Sequence, residues 1–177
     1  MIYIISGTDR QGSKSLIVAN QLLKFYNLNN ASAEIIDLKN LSLNKLHGLS
    51  YNQDSIPEDL KIVFKKIAKA KALHIVCPEY NGSYPGILKF FIDYWKFPDS
   101  FDGKFVSFVG LGGRFAGLRP VEHLMQVFSY RNAILFPQRV FLDNVWDMIK
   151  DETLTDKTIL DRLQKQVEDF CKFINLK

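Results

Sequence analysis

The strongest constraint on how this chain can fold is a rhythm that runs through nearly all of it. Short runs rich in Ile, Val and Phe alternate with stretches whose apolar residues recur at helical spacing. Residues 2–6, 33–37, 73–77 and 105–110 read as strands, and a shorter fifth strand is expected within residues 133–142. Strands this apolar suit a parallel sheet covered on both faces. Between them, Leu16, Ala19, Leu23 and Tyr26 mark one helix face, and Ile159, Leu160, Leu163, Val167, Phe170 and Ile174 mark another. Ser55 and Glu58 have capping-box spacing ahead of a further helix, and Thr155 is the expected cap of the last. Alternation of this kind predicts an α/β fold, a doubly wound three-layer sandwich with right-handed crossovers.

The chain's 177 residues, 47% of them apolar, suit one domain over residues 1–177. The apolar start is broken by Thr8, Asp9 and Arg10, too early for a signal-peptide core or a membrane span, so a cytoplasmic protein with no membrane partner is expected. Cys77 and Cys171 lie in different predicted elements, and no disulfide is expected. The net charge of +4 raises nucleic acid as a partner. Its densest cluster, Lys61, Lys65, Lys66, Lys69 and Lys71, interleaves with Leu60, Val63, Phe64 and Ile67 as on the solvated face of an amphipathic helix, which argues against that partner.

In the strand order 2-1-3-4-5 the first, third and fourth strands are neighbours, and ligands of such sheets sit beyond the strands' carboxyl ends. The first strand ends in Gly7-Thr8-Asp9-Arg10-Gln11-Gly12-Ser13-Lys14-Ser15: glycines for close approach, hydroxyls and a cation at a helix N-terminus, the parts of a phosphate cradle. Gly7 and Gly12 have P-loop spacing, but Ser13 stands where the lysine belongs and moves Lys14 about 100° around the helix, so an NTPase is not expected. The third strand leads into Pro78-Glu79-Tyr80-Asn81-Gly82-Ser83-Tyr84-Pro85-Gly86, whose prolines and glycines predict an extended backbone able to meet a flat heteroaromatic edge. The fourth strand ends in Gly110-Leu111-Gly112-Gly113-Arg114.

These loops, with Ile87-Leu88-Lys89 and Ile92-Asp93, resemble the NADPH-dependent FMN reductases, a family that includes chromate, quinone and azo-dye reductases. The resemblance implies a flavodoxin-like five-stranded parallel sheet of order 2-1-3-4-5 with FMN as cofactor and NADPH or NADH as co-substrate. It implies that Thr8, Arg10, Ser13, Lys14 and Ser15 surround the FMN phosphate, and that Pro78, Glu79, Tyr80, Asn81 and Gly82 line the isoalloxazine. Gly112, Gly113 and Arg114 would pass its pyrimidine side, with Arg114 near N1 and O2. Hydride would pass to flavin N5 with no catalytic side chain, then on to a small-molecule acceptor (free flavin, quinone, azo dye or metal oxyanion) by a ping-pong cycle. Two positions depart from the family: Phe90 follows Leu88-Lys89 where Asn is frequent, and Asp9 adds a negative charge beside the cradle. The rival readings are a flavodoxin-type electron carrier, whose members are commonly acidic, and a degenerate member that has lost its flavin.

Other residue types carry less. His47, His74 and His123 have no metal-ligand spacing, and Glu122 with His123 reads as a helix surface. Cys77 precedes Pro78 but has no neighbouring cysteine, so packing is expected of it; Trp95 and Trp146 have rings that can stack on a ligand, but core or interface packing is the expected use. Leu88, Phe90, Phe91, Tyr94, Trp95 and Phe97 place apolar bulk on more than one helix face, which predicts a homodimer or a dimer of dimers.

Overall fold

The structure, a computed structural model, describes residues 1–49 and 53–175; residues 50–52 and 176–177 of the expected 1–177 span lie outside it. Its elements run β1 (Ile2–Ser6), α1 (Lys14–Leu28), β2 (Ala33–Asp37), α2 (Glu58–Lys69), β3 (Ala72–Pro78), α3 (Gly86–Asp93), β4 (Phe105–Leu111), α4 (Leu118–Tyr130), β5 (Ile134–Leu135), β6 (Val140–Leu142), β7 (Ile149–Lys150), β8 (Thr153–Leu154) and α5 (Lys157–Phe173). The main sheet has the order β2-β1-β3-β4-β5, and every pair in it is parallel. This is the flavodoxin-like arrangement.

Strand alternation sorts the side chains into two cores. Tyr3 and Ile5 of β1 join Leu60, Phe64, Phe91, Leu124 and Phe128 beneath α2, α3 and α4. Ile2 and Ile4 face the other way, onto Val18, Leu22 and Tyr26 of α1 and Leu163, Val167 and Phe170 of α5. The winding direction reverses between β1 and β3, so the loops after these strands diverge around a crevice.

Three local expectations are corrected. The fifth strand is split: β5 pairs with the start of β4 and β6 with its end. Pro137 lies in the gap, and without an N–H it cannot continue the ladder. Helix α2 starts at Glu58, the last residue of the proposed capping box, with Pro57 rather than Ser55 as N-cap and the Pro57 carbonyl accepting from Leu60 and Lys61. Ser55 instead ends a short 3-10 turn. At α5 the cap is Asp156, whose Oδ1 accepts from the Ile159 amide at 2.9 Å, while the Thr155 hydroxyl donates to the Met148 carbonyl. A carboxylate at that helix N-terminus also meets the positive end of the macrodipole.

The basic face of α2 is solvated and partly paired, Lys66 with Glu34 and Lys61 with Glu58, while Leu60, Phe64 and Ile67 go to the core. Among the described residues no helix is long and apolar enough to cross a membrane. Cys77 and Cys171 are unbridged.

Candidate functional site

Adjacent strands β1, β3 and β4 deliver their C-terminal loops to one crevice of about 300 Å³. The first loop turns into α1 with Ser13 as N-cap, its Oγ accepting from the Ser15 amide at 3.1 Å and lying 2.6 Å from the Ser15 Oγ. No protein acceptor meets the amides of Gln11 and Gly12 among the described residues. Arg10 lies over the Tyr80 ring, 5.9 Å from its centroid. Neither Arg10 nor Lys14 has an ion-pair partner among the described residues, which leaves two cations and free N–H groups at a helix N-terminus. That is the chemistry of an anion site.

Arg10, Ser13, Lys14, Ser15, Pro78, Glu79, Tyr80 and Gly112 all line the crevice. Thr8 stands behind them, almost fully buried, with its hydroxyl 2.8 Å from the Tyr80 hydroxyl and accepting from the Arg10 amide at 3.3 Å. One hydroxyl pair thus ties the first loop to the second. Asp9 is exposed.

The second loop is a tight turn rather than the extended segment its composition suggested. Tyr80 and Ser83 exchange both backbone hydrogen bonds, at 2.8 and 3.0 Å, around Asn81 at φ +50° and Gly82 at φ +77°. Positive φ at both central residues is the type I′ geometry that Asn-Gly favours. The turn carries Asn81 and Gly82 past the crevice lining. A Cβ on Gly82 would lie 3.3 Å from Nη1 of Arg119.

The third loop is held by Glu79, whose Oε2 accepts from the Gly117 amide at 3.2 Å. Gly117 has φ +77°, and a Cβ there would lie 2.4 Å from the Leu111 nitrogen, so no other residue fits this contact. The Glu79 amide donates to the Leu111 carbonyl and Gly112 to Leu142, so the second loop, the third loop and the end of β6 form one connected rim. Gly113 and Arg114 fall just outside the crevice; Arg114 and Arg119 flank the exposed Phe115 ring, 5.9 and 5.0 Å from its centroid.

Cys77 is fully buried, and burial, reinforced by the Glu79 charge, pushes its thiol well above the ordinary range; it is packing, not a reactive thiolate. His123 meets Ser83 (Oγ to Nδ1 2.9 Å) and the Tyr84 ring edge, whereas Glu122 pairs with Arg139, so the two neighbours do not act together. Sequence reasoning assigned Trp146 to packing, but it is 62% exposed and lines the crevice with Val145. Its signal was positional: it follows the carboxyl end of the fifth strand, where a further rim loop belongs.

Residues 1–147 match the family described as NADPH-dependent FMN reductase. An FMN-dependent NADPH-azoreductase of Staphylococcus aureus is 29% identical over 97% of this chain and 94% of its own length. Among solved structures, the flavoenzyme NAD(P)H:(acceptor) oxidoreductase FerB of Paracoccus denitrificans superposes with a TM-score of 0.79 at 20% identity, covering 98% of this chain and 96% of its own. The apo form of an NADH:FMN oxidoreductase (EmoB) gives a TM-score of 0.77 at 21% identity, covering 96% of this chain and 87% of its own.

Proposed function

Since the chain belongs to the NADPH-dependent FMN reductase family, we propose that it works in the cytoplasm as a single-domain NAD(P)H:acceptor oxidoreductase, with FMN seated in the three-loop crevice. The observation that carries this reading is the meeting of a cationic helix N-terminus with the Pro78–Tyr80 segment in one crevice at the sheet's switch point. Bound there, FMN would supply the redox chemistry, hydride uptake from NADPH or NADH and electron transfer to a small-molecule acceptor.

The chain's residues bind and orient. Arg10 and Lys14 would balance the phosphate charge, while the free amides of Gln11 and Gly12, and whichever hydroxyl of the Ser13–Ser15 pair keeps its hydrogen free, would donate to its oxygens. Thr8 fixes the Tyr80 hydroxyl, and Pro78, Glu79 and Tyr80 would line the ring edge, with Asn81 and Gly82 beyond them. Gly112 would face the pyrimidine side from within the crevice, with Gly113 and the Arg114 charge at its outer edge. No side chain is required to move a proton; the Glu79 carboxylate is engaged in holding Gly117. NAD(P)H and acceptor would take turns at this site, which is a ping-pong cycle. Free flavin, quinone, azo dye and metal oxyanion are the acceptor classes to test. The working unit is a homodimer or a dimer of dimers, a reading supported by the exposed aromatic groups Phe97 and Tyr130 near the ends of α3 and α4.

Anaerobic addition of NADPH or NADH to the FMN-loaded protein is expected to bleach the flavin, and a quinone to restore its colour. Double-reciprocal plots at several acceptor concentrations are expected to be parallel. Failure to bind FMN would overturn the reading; intersecting lines would overturn the shared site alone.

A further inference from the structure

We infer that Trp146 is a wall of the cofactor site, its indole packing against the carbon skeleton of FMN beyond the phosphate; the inference rests on the FMN reading above. Exposed single hydrophobes are common on protein surfaces and mostly mean nothing. Trp146 differs from the others here in position. Met1, Leu28, Ile62, Phe97, Phe115, Leu118 and Tyr130 are also exposed, but Trp146 alone of this set lines the crevice.

Its backbone is fixed to the rim. The Val145 amide donates to the Gly112 carbonyl at 3.1 Å, Asn144 to Gly113 at 3.4 Å, and Asp147 closes the turn onto Asn144 at 2.9 Å. Val145 is buried and anchors the segment from below. On the rim side the space belongs to glycine: a Cβ on Gly113 would lie 3.6 Å from the indole. The backbone of this segment therefore presents the ring at the crevice, beside Gly113.

The ligand class follows from what shares that space. Arg10 to Ser15 supply the anion-binding part of the crevice, and the indole lines the same volume of about 300 Å³, where a group attached to a phosphate held there would meet it. An indole face packs well on a polyol chain or a flat ring, and its Nε1–H can donate to a hydroxyl. FMN presents both to it.

Two measurements test this. FMN titrated into the apo protein by calorimetry is expected to bind Trp146→Ala about ten- to fiftyfold more weakly than the parent, and Trp146→Phe within a few-fold of it. In the apo parent, acrylamide should quench tryptophan fluorescence mainly through Trp146, because Trp95 is only 5% exposed. Saturating FMN is expected to lower the quenching slope severalfold, towards that of apo Trp146→Phe. An unchanged slope, or FMN binding to Trp146→Ala within twofold of the parent, overturns the assignment while the FMN reading stands. A parent that binds no FMN overturns both. The quenching measurement on the unmodified chain needs no variant, so a folding defect in Trp146→Ala would not shelter the inference.

Discussion

Arg10 and Gly82 show how differently two residues of one site act. Arg10 is exposed, rests on the Tyr80 ring and has no carboxylate at ion-pair distance among the described residues, so its charge is available to a ligand and contributes little to the fold. Arg10→Ala is expected to leave the unfolding temperature within a degree or so, while weakening FMN about ten- to hundredfold by calorimetry. This is the loss of a charge-assisted hydrogen bond of about 1.5 to 3 kcal/mol. Gly82 acts through the backbone. At φ +77° a β-branched residue is strained by about 1 to 3 kcal/mol, and its Cβ would press on Arg119. Gly82→Val is expected to lower both thermal stability and FMN affinity because the type I′ turn opens, not because a side chain enters the crevice. Gly82→Asn, which tolerates positive φ, is expected to recover most of both losses. Equal stability of the Val variant and the parent would show that the turn is not under this constraint.

Between elements, one buried polar contact joins α1, β3 and β4 outside the crevice lining. His74 of β3 is fully buried, its Nδ1 2.8 Å from the Tyr26 hydroxyl of α1 and its Nε2 3.4 Å from Ser107 Oγ of β4. Burial pulls its pKa down to about 3, so it stays neutral in the folded protein at acid pH where an unfolded chain takes up a proton near pH 6.5. Above about pH 6.5 both states are neutral and this group leaves stability independent of pH. Below it, only the unfolded state binds the proton, so folding stability falls by about 1.4 kcal/mol per pH unit towards pH 3. Urea unfolding at about pH 7 and pH 5 should show this loss. His74→Gln should be less stable at neutral pH but flatter across that interval; an equally steep decline in the variant would assign the acid sensitivity elsewhere.

For the whole molecule, the aromatic helix that suggested self-association is largely consumed within one chain. Leu88, Phe91, Tyr94 and Trp95 are buried, Phe91 and Trp95 meeting edge to face with centroids 5.4 Å apart, and Phe90 stacks on His47. What is left outside is Phe97, 49% exposed, and Tyr130, 80% exposed, both against the Arg131 guanidinium. Light scattering at micromolar concentration is expected to give twice or four times the mass of one chain. A mass of one chain with flavin bound and reductase activity retained would exclude an obligate dimer. Phe97→Ser and Tyr130→Ser should shift a dimer towards monomer if those rings sit in its interface.

The sequence by itself determined the layered fold, because the period of its apolar residues dictates which segments are strands and which are helices, and that order admits few right-handed topologies. It also marked the crevice, since Arg10, Ser13, Lys14, Ser15 and Pro78–Tyr80 stand directly at strand ends whose place in the sheet follows from the winding. Tertiary structure decided what depends on partners remote in the chain. Glu79 holds the Gly117 amide rather than offering a free carboxylate, whereas the bend of the second loop is local, closed between Tyr80 and Ser83 around an Asn-Gly pair whose turn preference the sequence already carried. Asp156, not Thr155, caps α5 because the choice turns on one backbone dihedral at the helix entry. The aromatic residues of α3 and Trp146 changed roles in opposite directions, the former inward and the latter to the crevice, because burial is set by neighbours that only the assembled layers bring together.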